Sequence, residues 1–285
     1  MSDFLASELT DDEKTPLARF QIIPVPLERT VSYGAGTQHG PHAIIAASSE
    51  LERTVAGAEP IAQGIYTQEA VDCTGPLGTV MDRIAERTQA AVTAGQIPVT
   101  LGGEHSLSYG AVMGVSHALG RPVGIIQIDA HADLRVAYQG EVHSHASVMH
   151  LLAEHGMRLA QFGVRALSAD EEAARGAYQV FHIDAEELVT KGLHAVQLPD
   201  DFPQDVYISF DVDGLDPSIM PATGTPVPGG LSFYQSLHVC ASALAGRRLV
   251  GIDVVELAPN GAEAWDFTAA LVCYRLMALA CDNDT

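Results

Sequence analysis

The sequence predicts an α/β fold built on a mainly parallel sheet covered on both faces. Three observations carry that expectation: short apolar runs recur along almost the whole chain, they do not alternate with polar residues, and helical patterns separate them. A strand with one wet face alternates, whereas one buried on both faces reads as a continuous apolar run. Strands spaced by helices belong to the crossover units of a parallel sheet.

In chain order the runs are FQIIPV (20–25), AQGIYT (62–67), IPVTL (97–101), VGIIQI (123–128), LAQFGV (159–164), YQVFHI (178–183), VYISF (206–210) and VGIDVVEL (250–257). Helix candidates lie between them: VMDRIAERTQAAVTA (80–94) and the stretches following Ser106, Ser144, Ser168, Asp184, Ser232 and Asp266. Residues 1–15 read as a flexible acidic segment, and 16–285 as a single domain without linker, repeat or low-complexity tract. Two long irregular segments, 26–40 and 212–230, are rich in Gly and Pro. Ordered loops of that length are uncommon unless functional, and in open α/β sheets the loops beyond the carboxyl ends of strands carry the site.

Composition narrows the function. With 36 acidic and 15 basic residues the formal charge is −21, a field that repels a phosphate backbone, so no nucleic acid is expected as a partner. No apolar run approaches the roughly 20 residues that span a bilayer, and the acidic N-terminus lacks the order of a signal peptide. A cytoplasmic protein without a membrane partner is expected. Cys73, Cys240, Cys273 and Cys281 form no CxxC pair and read as buried free thiols.

Three strands end in acid and imidazole clusters. IPVTL is followed by Gly102-Gly103-Glu104-His105-Ser106, VGIIQI by Asp129-Ala130-His131-Ala132-Asp133, and VYISF by Asp211-Val212-Asp213-Gly214. Side chains two apart on extended backbone point the same way, so Asp129, His131 and Asp133 converge if the strand persists, and so do Asp211 and Asp213. Carboxylates facing one another repel and are costly to desolvate, and divalent cations remedy both. Four oxygen donors and two imidazoles exceed what one small cation takes from protein, so two ions sharing carboxylates fit better. Many carboxylates, few nitrogens and no sulfur favour Mn²⁺ over structural zinc.

These motifs, in this order, resemble the ureohydrolase family of arginase, agmatinase and their relatives, and the likeness extends from IPVPLERTVSYGAGTQHGPHAI through SFDVDGLDPSIMPATGTP to VVELAP and DFTAA. The resemblance implies a three-layer α/β/α sandwich and two Mn²⁺ per chain. One ion would be held by His105, Asp129, Asp133 and Asp211, the other by His131, Asp129, Asp211 and Asp213, with a hydroxide shared by both as nucleophile. His145, in HSHASVM, matches the family's proton-shuttling histidine, and Glu256, in DVVELAP, the glutamate that pairs with the guanidinium. Glu104 stands where many relatives have Asp. Trimers and hexamers are usual in the family, so a homo-oligomer is expected.

A guanidinium is stabilised by resonance and stays charged, so neutral water attacks it poorly; metal activation answers that difficulty. Asp133 suits the orientation of the attacking oxygen and uptake of its proton. A histidine titrating near neutrality suits protonation of the leaving amine. His145 is the choice for it and His143 the competitor. His117, His150, His155, His182, His194 and His238 read as packing or surface residues, while His39 and His42 flank a Gly-Pro turn that can line the mouth.

Arginases carry an Asn- and Ser/Thr-rich loop after DxHxD that grips the α-amino and α-carboxylate groups of arginine; residues 134–142 here, LRVAYQGEV, do not. The resemblance therefore implies agmatine as substrate, with putrescine and urea as products; Glu141 reads first as a solvated loop carboxylate, with contact to the substrate amine as the alternative. Aminopropylagmatine, guanidinobutyrate, formiminoglutamate and guanidine are the alternatives that share the metal motifs, and Arg135 is the basic residue that would favour guanidinobutyrate. A dinuclear phosphoesterase and a non-catalytic metal-binding relative are the readings from other classes.

Overall fold

The computed structural model describes residues 2–193 and 195–281; His194 lies outside them. Among the described residues the chain forms one sheet of eight strands: β1 (Phe20–Val25), β2 (Ile65–Thr67), β3 (Ile97–Gly102), β4 (Gly124–Ile128), β5 (Arg158–Phe162), β6 (Phe181–Ile183), β7 (Asp205–Asp211) and β8 (Arg248–Val255). Their order is β2-β1-β3-β8-β7-β4-β5-β6, and each neighbouring pair is parallel.

The apolar runs do not alternate because both faces of each strand are covered. In β1, Phe20 and Ile22 enter one core while Ile23 and Val25 enter the other. The first core is closed by α1 (Gly40–Ser48), α6 (Ala185–Thr190), α7 (Phe233–Leu244) and α8 (Glu263–Cys281). The second is closed by α2 (Leu77–Thr93), α3 (Leu107–Leu119), α4 (Val148–Glu154) and α5 (Ala169–Ala177). This is a three-layer α/β/α sandwich. Helix starts are built locally: Ser168 and Glu171 form a reciprocal capping box at α5, and the Ser232 side chain accepts from Gln235 at α7.

Several expectations are corrected. The segment 62–67 gives only a three-residue strand, because Pro60–Gln63 is spent on a 3-10 turn. Helix α1 emerges from the end of the first long loop, with Pro41 in its first turn where a missing N–H costs nothing. The N-terminal segment is not loose throughout. Phe4 and Leu5 are fully buried, with Phe4 N donating to Thr67 Oγ1 and Leu5 N to Ser48 Oγ, at 2.9 and 2.8 Å. Helix α8, 19 residues long, is apolar enough by length and composition to cross a bilayer, but half of it is buried against the fold. Cys240 and Cys273 are buried as expected, whereas Cys73 and Cys281 are only partly so.

Register decides what the sheet presents. Leu101 pairs with Val254, Val255 with Asp211, and Phe210 with Ile128, so the carboxyl ends of β3, β8, β7 and β4 finish side by side. The opposite ends are tied by Asp205, buried at the start of β7, which accepts from Arg248 Nε at 2.7 Å and Arg121 Nε at 2.9 Å. Burial alone would raise its carboxyl pKa, but the two guanidinium bonds outweigh it and hold the group below its ordinary value. A depressed folded pKa stabilises at neutral pH, starts to fade near the unfolded value of about 3.9, and is lost as pH falls through the folded value. Both arginines are exposed, so screening limits the effect to about 1 kcal/mol. Asp205→Asn is expected to lower unfolding free energy by that amount at pH 7 in urea titrations, with the deficit narrowing below pH 4; equal stability at pH 7 would refute the account.

Candidate metal centre

Strand ends deliver the ligands. Asp211 ends β7 and its Oδ1 accepts from Asp213 N at 2.8 Å, which folds Val212–Gly214 into a 3-10 turn. Asp129 follows β4, and its Oδ1 accepts from His131 N at 2.6 Å. Gly103, after β3, lies against the 26–40 loop so closely that a Cβ there would sit 2.0 Å from Leu27 O. Asp133 and Glu256 both adopt positive φ, 53° and 65°. A non-glycine residue held there costs on the order of 1–3 kcal/mol, and such strain clusters at functional sites.

The sequence-expected ligands come together in two groups sharing Asp129: His105, Asp129 and Asp211, and Asp129, His131 and Asp213. His105 Nδ1 lies 3.1 Å from Asp129 Oδ2, 3.0 Å from Asp133 Oδ2 and 3.4 Å from Asp211 Oδ2. His131 Nδ1 lies 3.1 Å from Asp213 Oδ2 and 3.5 Å from Asp129 Oδ1. Asp129 belongs to both groups. All five carboxylates here, Glu256 included, are no more than 8% exposed.

The donor set fits divalent cations, and His105 shows why. Its Nε2 lies 2.8 Å from Ser209 Oγ, which donates its own proton to Asp253 Oδ1 at 2.8 Å. Ser209 therefore accepts from Nε2–H, leaving the Nδ1 lone pair turned toward three carboxylates. Nδ1 is buried and makes no hydrogen bond to any described residue, although carboxylate oxygens surround it. A lone pair among anionic oxygens is repulsive until a cation sits between them. The carboxyls register the same conflict. Burial, then the Asp213 and Asp129 charges, raises Asp211; burial and the Asp129 charge push Asp133 up to about 7.

A chain of buried amides steadies the centre. Arg175 Nε donates to Gln161 Oε1 at 3.0 Å, Gln161 Nε2 to Gln127 Oε1 at 2.8 Å, and Gln127 Nε2 to Asp129 Oδ2 at 2.7 Å. Because a guanidinium only donates, each amide's orientation follows from the one before it. Arg165 clamps the 212–230 loop by donating to the carbonyls of Asp213 at 2.7 Å and Val227 at 2.8 Å. Neither group was identified from sequence. Gln127 had a signal, lying two residues before Asp129 and so on the same strand face; Arg165 had none.

The cleft is lined by His105, His131, Asp133, Asp211 and Asp213 together with Ser32, Gly34, His145, Gly224, Thr225 and Glu256. Gly34 N donates to Gly224 O at 3.1 Å, so the two long loops meet over it. Glu256 Oε1 accepts from His105 N at 2.7 Å, and burial pushes its carboxyl up to about 8. His145 Nδ1 lies 3.1 Å from Thr30 Oγ1 and its Nε2 2.8 Å from Ser32 Oγ. His143 instead packs 5.2 Å from the Tyr109 ring, and His39 and His42 are not among the cleft-lining residues. A cavity of about 450 Å³, lined by Arg135, Tyr138, Ser168 and Glu171, adjoins the cleft. A larger one, about 650 Å³, lies at the opposite strand ends beside Arg19, Arg247 and Arg248, away from this chemistry.

Residues 18–281 match the model of the arginase family. The chain belongs to that family. An N(1)-aminopropylagmatine ureohydrolase of Thermus thermophilus is 37% identical over 265 residues, covering 92% of this chain and 90% of that one. The mitochondrial agmatinase of Gallus gallus is 35% identical over 253 residues, covering 83% and 73%. The agmatine ureohydrolase of Thermoplasma volcanium superposes with a TM-score of 0.80 at 27% identity, covering 100% and 96%. Membership makes this chain a metal-dependent hydrolase of the ureohydrolase class with a dinuclear centre.

Losing an outer partner of a metal ligand typically costs about 10–100-fold in affinity. Gln127→Leu, which leaves Asp129 Oδ2 without its donor, is expected to weaken divalent-ion binding by that factor in calorimetric titration. Unchanged affinity would show that the amide chain only fills space.

Proposed function

We propose that this protein releases urea from guanidino-alkylamines, agmatine and its N(1)-aminopropyl derivative, and that the longer compound is the preferred substrate. The observation that carries the hydrolase reading is the buried His105 Nδ1, without a hydrogen-bond partner among the described residues, facing three carboxylates. We take the ions to be Mn²⁺, held in the two sets implied by the ureohydrolase resemblance: His105, Asp129, Asp133 and Asp211, and His131, Asp129, Asp211 and Asp213. When bound, the pair supplies Lewis-acid activation of water for attack on the guanidinium carbon.

The chain's own groups do the rest. Glu256 pairs with the substrate guanidinium; its neutral form is favoured by burial, and the incoming cation restores the charge. Asp133 Oδ2 accepts the proton released by the attacking water. His145 Nε2, whose basicity burial depresses, takes that proton up in turn and hands it to the departing amine. Agmatine then yields putrescine and urea, and the aminopropyl compound yields spermidine and urea.

Three observations support the substrate class. The 134–142 segment offers no Asn or Ser/Thr run to grip an α-amino acid. Arg135 is engaged, 3.7 Å from Glu171 Oε2 and stacked 5.9 Å over Tyr138, rather than held out for a carboxylate. The 450 Å³ cavity beyond the cleft has room for an aminopropyl extension, and the Thermus relative is named for that substrate. The −21 charge suits a polycationic ligand, and we extend the reading to a cytoplasmic homo-oligomer, trimer or hexamer, with no nucleic-acid or membrane partner.

Urea release by the Mn²⁺-loaded protein across a guanidino panel tests this. N(1)-aminopropylagmatine and agmatine are expected to exceed guanidinobutyrate and arginine in kcat/KM by at least tenfold, about 1.4 kcal/mol of transition-state binding. A higher value for guanidinobutyrate would move the assignment to a carboxylate-bearing substrate. In the same assay His145→Ala is expected to lose about 10²–10⁴-fold in kcat with both metals retained, and His143→Ala only a few-fold. The reverse ranking would transfer the proton-carrying role to His143.

A further inference from the structure

We propose that Glu104 and Thr30 form a positioning relay that fixes the tautomer of His145, with the proton on Nδ1 and the lone pair of Nε2 presented to the cleft. The inference rests on the reading of His145 as proton carrier and adds two residues to it. Glu104 is fully buried, and four donors meet its two oxygens. Oε1 accepts from Thr30 Oγ1 at 2.8 Å and Ser106 Oγ at 2.6 Å; Oε2 accepts from Arg29 N at 2.5 Å and Thr30 N at 2.6 Å. A carboxylate so filled has no proton to give, so the single hydroxyl proton of Thr30 points at Glu104.

Thr30 Oγ1 can then only accept from the other side. Its two lone pairs face His145 N at 3.0 Å and His145 Nδ1 at 3.1 Å. An acceptor at that distance demands Nδ1–H; the opposite tautomer would set two lone pairs against each other. Nε2 is left as acceptor and receives the Ser32 hydroxyl at 2.8 Å. The Tyr138 ring, edge-on at 5.3 Å, restricts rotation of the imidazole. Nε2 thus both takes up and delivers the proton, without a ring flip. The same carboxylate holds the backbone of Arg29 and Thr30, so the loop that brings Ser32 to the cleft and the imidazole orientation have one anchor.

The test is ¹⁵N-histidine NMR on the full chain loaded with diamagnetic Zn²⁺, with the His145 signals identified by their loss in His145→Asn. The expected wild-type spectrum has the neutral ring protonated at Nδ1. Thr30→Val removes the acceptor at nearly constant volume, and the Nε2–H tautomer should then appear. In the Mn²⁺-loaded variant kcat is expected to fall about 10–100-fold, less than loss of the acid–base group itself, with KM unchanged and both metals bound. Thr30→Ser should restore the tautomer and kcat together. A wild-type ring protonated at Nε2 overturns the proposal, as does a Thr30→Val spectrum identical to wild type. The wild-type spectrum decides the tautomer even if Thr30→Val fails to fold. If the tautomer shifts as expected while His145→Asn keeps full kcat, the relay stands and the proton-carrier assignment is what falls.

Discussion

The dominant constraint in this protein is the mutual repulsion of carboxylates buried at the ends of adjacent parallel strands. Asp129, Asp133, Asp211, Asp213 and Glu256 are all nearly dry, and no arrangement of them is stable without compensating positive charge. The all-parallel sheet is what makes the concentration possible. Four neighbouring strands all end on one side, so residues at or just beyond those ends meet at the same centre. The costs appear nearby, in the positive φ of Asp133 and Glu256 and in the His105 lone pair held toward anions. Around them stand groups that fix direction rather than supply charge: Ser209 sets the His105 tautomer, Gln127 turns Asp129, and Arg165 braces the loop behind Asp213.

Charge is also divided along the strand axis. Arg19 precedes β1, Arg121 precedes β4, and Arg158 and Arg248 open β5 and β8, all at the ends remote from the metal centre. These four are among only 15 basic residues in the sequence, against 36 acidic ones. On the proposed reading, the net charge of −21 favours capture of a cationic substrate, and the attraction weakens as salt screens it.

The fold was legible because strands buried on both faces leave unbroken apolar runs, and because each ligand motif sits in a few consecutive residues at a strand end. What escaped depends on partners distant in sequence. Phe4 and Leu5 read as part of a loose acidic segment because their anchors, Thr67 and Ser48, lie some way along the chain. Thr30 and Ser32 reach His145 across more than a hundred residues, and nothing local marks them. Gln161 and Arg175 act only once β5 lies beside β4.

On the proposed reading, specificity resides outside the centre that performs the hydrolysis, because the ligands and Glu256 would address only the guanidino head. The tail meets the neighbouring cavity, where Arg135 is answered by Glu171, and Glu171 is itself tied to the start of α5 through Ser168. A carboxylate entering there would have to draw Arg135 off Glu171 and Tyr138, uncovering a buried acid beside it. An amine enters without that exchange and finds acidic surroundings already in place. On that reading the mouth discriminates mainly by what it would cost to admit a negative charge, which is a difference in binding that the metal shell neither supplies nor feels.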